Sequence, residues 1–359
     1  MENRHRIDRI LRQCVREFTL DLSGLVVFTE AATGPYLFSP ILAALGGAEK
    51  VYAVTADSRY GSREQVKVLT IGAGQRWGVS NRIEVLFAKT KESVGESDII
   101  TNSGFVRPID REMISWMKPT AVVPLMWEPW EFRTSDLDLE VCREKEILVM
   151  GTDESVAPHS MYRYGGYLAM RLLFELGLEG YKVKSLLLGG GQGLGCSIHD
   201  HFKRLGMEVA WFSDTERESQ PYDQLRDYFE KYGMDYDVMI VAEHAKNIRL
   251  IGGNGLLTVE QIRRVNPGLC IGVIAGNLDG EGLRNSGLHF LPLVIEPFGK
   301  MSYQPYELGC RPVLELYAAG LKVGEAMARA RLKGMSIEET KRMAQSQSPA
   351  IDFESGEPT

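Results

Sequence analysis

"KSLLLGGGQGLGCSIHDHFKRLGMEVAWFSD", residues 184–214, joins a short apolar run to a helical pattern through a turn rich in glycine. The run at 184–190 has little polar alternation, as expected of a strand buried on both faces of a parallel sheet. The segment "CSIHDHFKRLG" then has helical spacing, and the amides of its first turn can face an anion at the strand end. Gly191 and Gly193 stand at the first two glycine positions of the dinucleotide fingerprint. Cys196 takes the third, where a small residue lets the helix approach the strand. The next apolar run, 208–213, leads to Asp214, an acid suited to accept from a ribose 2′-hydroxyl and to repel a 2′-phosphate. Glycines alone would also suit a tight turn with no ligand. Strand, turn, helix and acid in register favour a nucleotide, with NAD preferred and Arg217 leaving NADP open. The expected cofactor contacts are Gly189, Gly191, Gln192, Gly193, Leu194 and Asp214, joined by Asn277 in the later loop "IAGNLDGEG".

The 180 residues ahead of this stretch are patterned in the same way. Strands are expected at 24–29, 50–55, 83–88, 98–103, 121–126 and 147–152, with helical segments between them. A second run follows at 184–190, 208–213, 237–242, 269–275 and 289–295. This alternation implies βαβ units and an α/β chain of two domains with parallel sheets. The expected division is a substrate domain over 1–155, a Rossmann domain over 156–306 and a tail over 346–359. "MYRYGGYLAMRLLFELGL" (161–178) reads as a linking helix with Leu168, Leu172, Leu173 and Leu176 on one face. Helices over 307–345 have no strand partner nearby and are expected to return to the first domain.

Bulk properties narrow the function classes. A chain of 359 residues exceeds one ordinary core, since domains run to roughly 150 residues. A formal charge of −7 and the lack of a basic cluster argue against a nucleic-acid or anionic-membrane surface. Cys14, Cys142, Cys196, Cys270 and Cys310 are scattered singly, so neither a disulfide framework nor a structural zinc site is expected. The start, "MENRHRIDRILRQC", has no apolar signal core, and no apolar run reaches a membrane span. A cytoplasmic protein is expected.

Candidate chemistry lies in loops at predicted strand ends. "TEAATGPY" offers Glu30, "TADSRYGS" offers Asp57 and Arg59, "NSGFVRPID" offers Arg107, and "MWEPWEFR" offers Glu128, Glu131 and Arg133. In open α/β sheets the binding crevice lies outside the carboxyl ends of strands. The arginines suit a planar carboxylate through paired hydrogen bonds. Each loop also has a plain reading: a helix cap at Glu30, a surface ion pair at Asp57 and Arg59, a hinge at the tryptophans. For proton transfer the candidates are His244, beside Glu243 in "VAEHAKN", and the rival His159 near the hinge. His199 and His201 read as surface residues, and "HDH" lacks a third ligand at metal spacing.

The order of α/β domain, linking helix, "GGGQGLGCS" Rossmann domain and returning helix resembles one two-domain NAD-dependent superfamily. It unites D-2-hydroxyacid dehydrogenases, formate dehydrogenase, alanine dehydrogenase and S-adenosylhomocysteine hydrolase. The resemblance implies a substrate held between the domains against the nicotinamide, and a homodimer. It also implies an Arg, Glu and His set that this chain departs from: "AGN" stands at the Arg position, Glu296 is present in "IEPFGK", and no histidine follows His289. The hydroxyacid mechanism is therefore not carried over. "GNLDGEG" is similar to the "GHFD"-type loop of S-adenosylhomocysteine hydrolase, with Asn277 in place of His. The expected function is an NAD-dependent oxidoreductase for a small carboxylate-bearing hydroxy or amino acid. The alternatives are a redox-assisted hydrolase or lyase with tightly bound NAD, and a non-catalytic NAD(H) sensor.

Overall fold

The computed structural model describes residues 4–128, 131–156, 158, 160–191 and 193–352. The chain divides into two compact units, Met1–His159 with Gly309–Thr359, and Ser160–Leu308. The first begins with α1 (Arg4–Glu17) and runs β1 (Val26–Glu30), α2 (Ser39–Leu45), β2 (Lys50–Val54), α3 (Arg63–Arg76), β3 (Ile83–Leu86) and α4 (Lys91–Glu96). It continues with β4 (Ile99–Ile100), α5 (Arg111–Trp116), β5 (Val122–Pro124), α6 (Leu139–Glu144) and β6 (Leu148–Thr152). These six strands are parallel, in the order 6-5-4-1-2-3. Successive side chains alternate between two apolar layers. Val27, Val51, Ile99 and Val122 face one, while Phe28, Tyr52, Ile100 and Val123 face the other. This two-sided burial is why the strand runs show so little polar alternation.

The second unit opens on α7 (Arg163–Glu175), the linking helix, whose Leu168, Leu172, Leu173 and Leu176 are all buried. Then come β7 (Lys184–Leu188), α8 (Leu194–Arg204), β8 (Glu208–Phe212), α9 (Leu225–Tyr232), β9 (Val238–Ala242) and β10 (Arg249–Ile251). After these follow α10 (Val259–Val265), β11 (Cys270–Ala275), β12 (Asn277–Leu278), α11 (Gly280–Ser286) and β13 (Phe290–Leu291). The main sheet is parallel, ordered β13-β11-β9-β7-β8, and β10 pairs with β12 in a small separate ladder. That ladder is absent from the apolar pattern because its strands are too short to show a period. The strand expected over 289–295 stops at Leu291, since Pro292 has no amide to continue the ladder.

The chain then returns to the first unit through α12 (Cys310–Leu332) and α13 (Ile337–Gln347). α12 lies against the sheet closely enough that a Cβ on Gly320 would meet Met126 Sδ at 2.5 Å, and one on Gly324 would meet Ile99 Cγ2 at 2.8 Å. Glycine inside a helix costs about 1 kcal/mol, and here the close approach offsets it. Residues 346–359 are expected as a tail, but within them β14 (Ala350–Asp352) pairs antiparallel with β6 and extends the sheet. "AID" is too short to signal a strand alone; the open edge of β6 supplies its backbone partners. No helix among the described residues is long and apolar enough to cross a membrane.

Candidate active site

In the second unit β8 lies on one side of β7 and β9 on the other, so the crevice of the sheet opens between the ends of β7 and β9. The glycine turn sits there. Gly189 has φ +85°, and a Cβ on it would come within 2.5 Å of Glu243 Cα. A Cβ on Gly190 would lie 2.4 Å from Gly195 Cα, and one on Gly191 would lie 2.7 Å from Thr215 Oγ1. The residue that must be small for α8 to approach is Gly195. Its Cβ would strike Trp211 at 2.6 Å and two turn carbonyls at 2.8 Å. Cys196, expected in that role, is exposed and one position further round the helix. Trp211 closes the wedge by donating from Nε1 to Gly189 O at 2.9 Å. Three of the turn glycines are thus demanded by chain-on-chain packing. Gly193 is demanded by its own φ of +98° and otherwise meets only Tyr162, at 3.6 Å. Leu194 turns its side chain into the core, which leaves only its backbone for a ligand, and Gln192 lies outside the described residues.

Asp214 follows β8, with its side chain 37% exposed. Its carboxylate accepts from Tyr222 N at 3.0 Å and from Lys246 Nζ at 3.2 Å. These contacts, the backbone bond first, hold it below the usual carboxylate range. Asp214 is therefore an ionised acceptor at the crevice, as a ribose hydroxyl requires. Asn277, the first residue of β12, donates to Asn247 Oδ1 at 2.9 Å. His199 and His201 are half-buried rather than on the open surface. His199 stacks on Trp211, and His201 packs against Tyr167 and Gly166 of α7.

Glu243 and His244, expected as the catalytic pair, are built differently. Glu243 is fully buried. Its Oε2 accepts from Tyr222 OH at 2.6 Å, and its Oε1 from the Ala245 and Lys246 amides at 2.9 and 3.0 Å. That carboxylate holds the loop after β9 in place. His244 is 1% exposed, with its ring 5.7 Å from that of Tyr162. Burial pushes its pKa down to about 4, so it is uncharged at neutral pH and a weak base. Because the folded value lies below the ordinary 6.5, the unfolded chain binds the extra proton between the two. Stability should therefore fall as pH drops through that window, by on the order of 2–3 kcal/mol. Denaturant unfolding at neutral and mildly acid pH checks this against His244→Gln, which should show a shallower loss; equal losses would remove His244 as the cause.

In the first unit the crevice lies between β1 and β4, on either side of which the chain winds in opposite directions. Glu30 ends β1 there, 4% exposed. Its carboxylate accepts from Tyr317 OH of α12 at 2.6 Å and from Phe105 N at 3.2 Å, joining the ends of β1 and β4 to the returning helix. Burial raises its pKa. The expected strand at 98–103 shortens to two residues, and just beyond it the Thr101 and Ser103 hydroxyls form a network with Thr29. Next along the row, Asp136 Oδ2 accepts from Arg107 Nη1 at 2.6 Å and from Arg133 Nε at 2.8 Å. Both guanidiniums lie by the Trp127 ring, their Cζ atoms 4.9 and 5.6 Å from its centroid.

Glu128 and Glu131 belong to the same row. Glu128 Oε1 accepts from Glu154 N, just after β6. Burial pushes Glu131 up to about 7, with Arg133 opposing and Glu128 reinforcing the shift. Glu154 is raised by burial and by the same two carboxylates. Asp57 and Arg59 do not join this group. Asp57 accepts from Arg63 N at the start of α3, and Arg59 stacks on Tyr60 in an exposed loop. Their loop follows β2, the strand beside β1. His159 lies outside the described residues. Tyr317, Asp136 and Glu154 were missed by sequence reasoning: each sits in an amphipathic or loop segment with no motif, and only proximity marks it. Among the described residues no group of three or more His, Cys, Asp or Glu is arranged to hold a metal ion.

No protein-family model matches the chain, and no curated protein matches it in sequence. Solved structures do match it. A dipicolinate synthase chain from Bacillus halodurans superposes with a TM-score of 0.53 at 13% identity, over 83% of this chain and 96% of that one. The two share an α/β fold. A pyruvate reductase of Chlamydomonas reinhardtii superposes with a TM-score of 0.52 at 12% identity, over 87% of this chain and 98% of the other. At such identities the likeness concerns the fold.

Proposed function

We propose that the chain is an NAD-dependent oxidoreductase acting on a small carboxylate-bearing substrate of the hydroxy or amino acid type. One observation carries this reading: the glycine turn, the N-terminus of α8 and the ionised Asp214 meet at the crevice of a parallel sheet. The residues fit the cofactor. Gly193 leaves the turn open where a pyrophosphate would lie, the first turn of α8 offers amides, and Asp214 offers an acceptor to a ribose hydroxyl. NAD, when bound, supplies a hydride acceptor at its nicotinamide ring. On the substrate side, Arg107 and Arg133 provide fixed positive charge. Glu131, titrating near neutrality, is suited to hold or release a proton. The two proteins of like fold have names that refer to small carboxylates, which agrees with this choice of substrate.

The test is nucleotide binding by calorimetry. The protein should bind NAD(H) and discriminate against NADP(H). Asp214→Ala should weaken NAD about 10- to 100-fold, the equivalent of one hydrogen bond to a charged group. It should also improve NADP, because Lys246 is then free to meet a 2′-phosphate. Unchanged affinity for both nucleotides would overturn the assignment.

A further inference from the structure

The Arg107–Trp127 pair in the first unit contains two buried donors that no acceptor among the described residues meets. Asp136 takes Arg107 Nη1 and Arg133 Nε on one oxygen, which fixes both guanidiniums. Arg107 lies over the Trp127 ring, 4.9 Å from its centroid. Arg107 Nε and Trp127 Nε1 are the two donors, both shielded from solvent. A buried donor left in this state costs about 1–3 kcal/mol, so two in one stacked pair call for an acceptor group that serves both. A carboxylate supplies two oxygens for two donors.

We infer that Arg107 Nε and Trp127 Nε1 together receive one carboxylate of the substrate. The inference rests on the proposal that the substrate bears such a group, and it gives Trp127 a polar role beyond packing. Trp127 then contributes to specificity, since a carboxylate brings one oxygen to each donor and a bare hydroxyl brings a single oxygen to both. Arg133 and Asp136 act as positioning residues that hold Arg107 in place.

Nitrogen-15 NMR of the full chain, titrated with sodium formate against sodium chloride at equal ionic strength, tests this. The Trp127 indole N–H, assigned with Trp127→Phe, should move downfield and saturate with formate, and chloride should leave it unmoved. The Arg107 Nε–H resonance should titrate with the same midpoint. Trp127→Phe keeps the stacked ring and removes the donor, and should weaken the Arg107 titration at least tenfold. Arg107→Lys should weaken the Trp127 titration similarly. If a variant does not fold, the wild-type titrations decide alone. An indole resonance that ignores formate, or responds equally to chloride, overturns the inference. If that happens while NAD(H) still binds, the oxidoreductase reading stands and this site falls. If formate titrates both resonances and no nucleotide binds, the carboxylate site stands and the NAD reading falls.

Discussion

Gly189→Ala is expected to destabilise the second unit strongly while the first keeps its structure. The added methyl meets backbone: Glu243 Cα at 2.5 Å and Glu243 N at 2.7 Å, in a residue with φ +85°. Neither atom can rotate away, because Glu243 directly follows β9, its amide donates to Ala275 O at 3.1 Å and its carboxylate is anchored at three points. Left-handed strain adds about 1–2 kcal/mol, and overpacking against an immobile backbone about 1–3 kcal/mol more. That sum is a large share of the stability of a domain this size. Gly193→Ala is the control. It has a similar φ of +98° but no close neighbour, so it should cost the strain alone and remain folded. Thermal unfolding followed by circular dichroism, with limited proteolysis to show which unit opens, separates the two. Equal losses would mean that backbone strain, not contact with β9, is the reason for glycine at 189.

The second large effect is expected at Glu243. Removing its carboxylate in Glu243→Ala strands the buried Tyr222 OH and releases the part-buried amides of Ala245 and Lys246. The expected cost is about 2–3 kcal/mol, most of it the desolvation penalty of the stranded hydroxyl. Glu243→Gln keeps an oxygen for the two amides and lets Tyr222 reverse its hydroxyl, so it should recover most of that loss. Denaturant midpoints of the two variants give the answer directly. A Glu243→Ala protein within about 1 kcal/mol of the parent that turns over no substrate would instead restore Glu243 as a proton carrier. Because Lys246 N is one of the anchored amides and Lys246 Nζ reaches Asp214, the same change should also weaken nucleotide binding. The loop after β9 connects the scaffold to the site.

The readable part of this chain was the part governed by short-range chemistry. Strand runs such as "GLVVFT" and "DVMIVA" announce themselves because both faces of a parallel strand are apolar. The glycine turn and Asp214 were visible for a similar reason: a strand, a turn and a helix in immediate succession leave little freedom in where the strand end and its acid lie. Even there, spacing named Cys196 where contact names Gly195, a difference of one helical position that only the Trp211 wedge resolves. β14 was not visible, because its three residues carry no period and become a strand only beside the open edge of β6.

By itself, then, the sequence determined an α/β chain with two parallel sheets, a returning helix and a glycine turn followed by an acid. Those features depend on periodicity and local turn geometry. The tertiary structure alone decided which polar residues meet. It took Glu243 and His244 out of the solvent, left Asp57 and Arg59 in an exposed loop, and joined Glu30 to Tyr317 across most of the chain. It also set Arg107, Arg133, Asp136 and Trp127 in one cluster. The physical reason is that hydrogen bonds and burial act through space. A side chain's pKa and partners come from neighbours that sequence spacing does not identify.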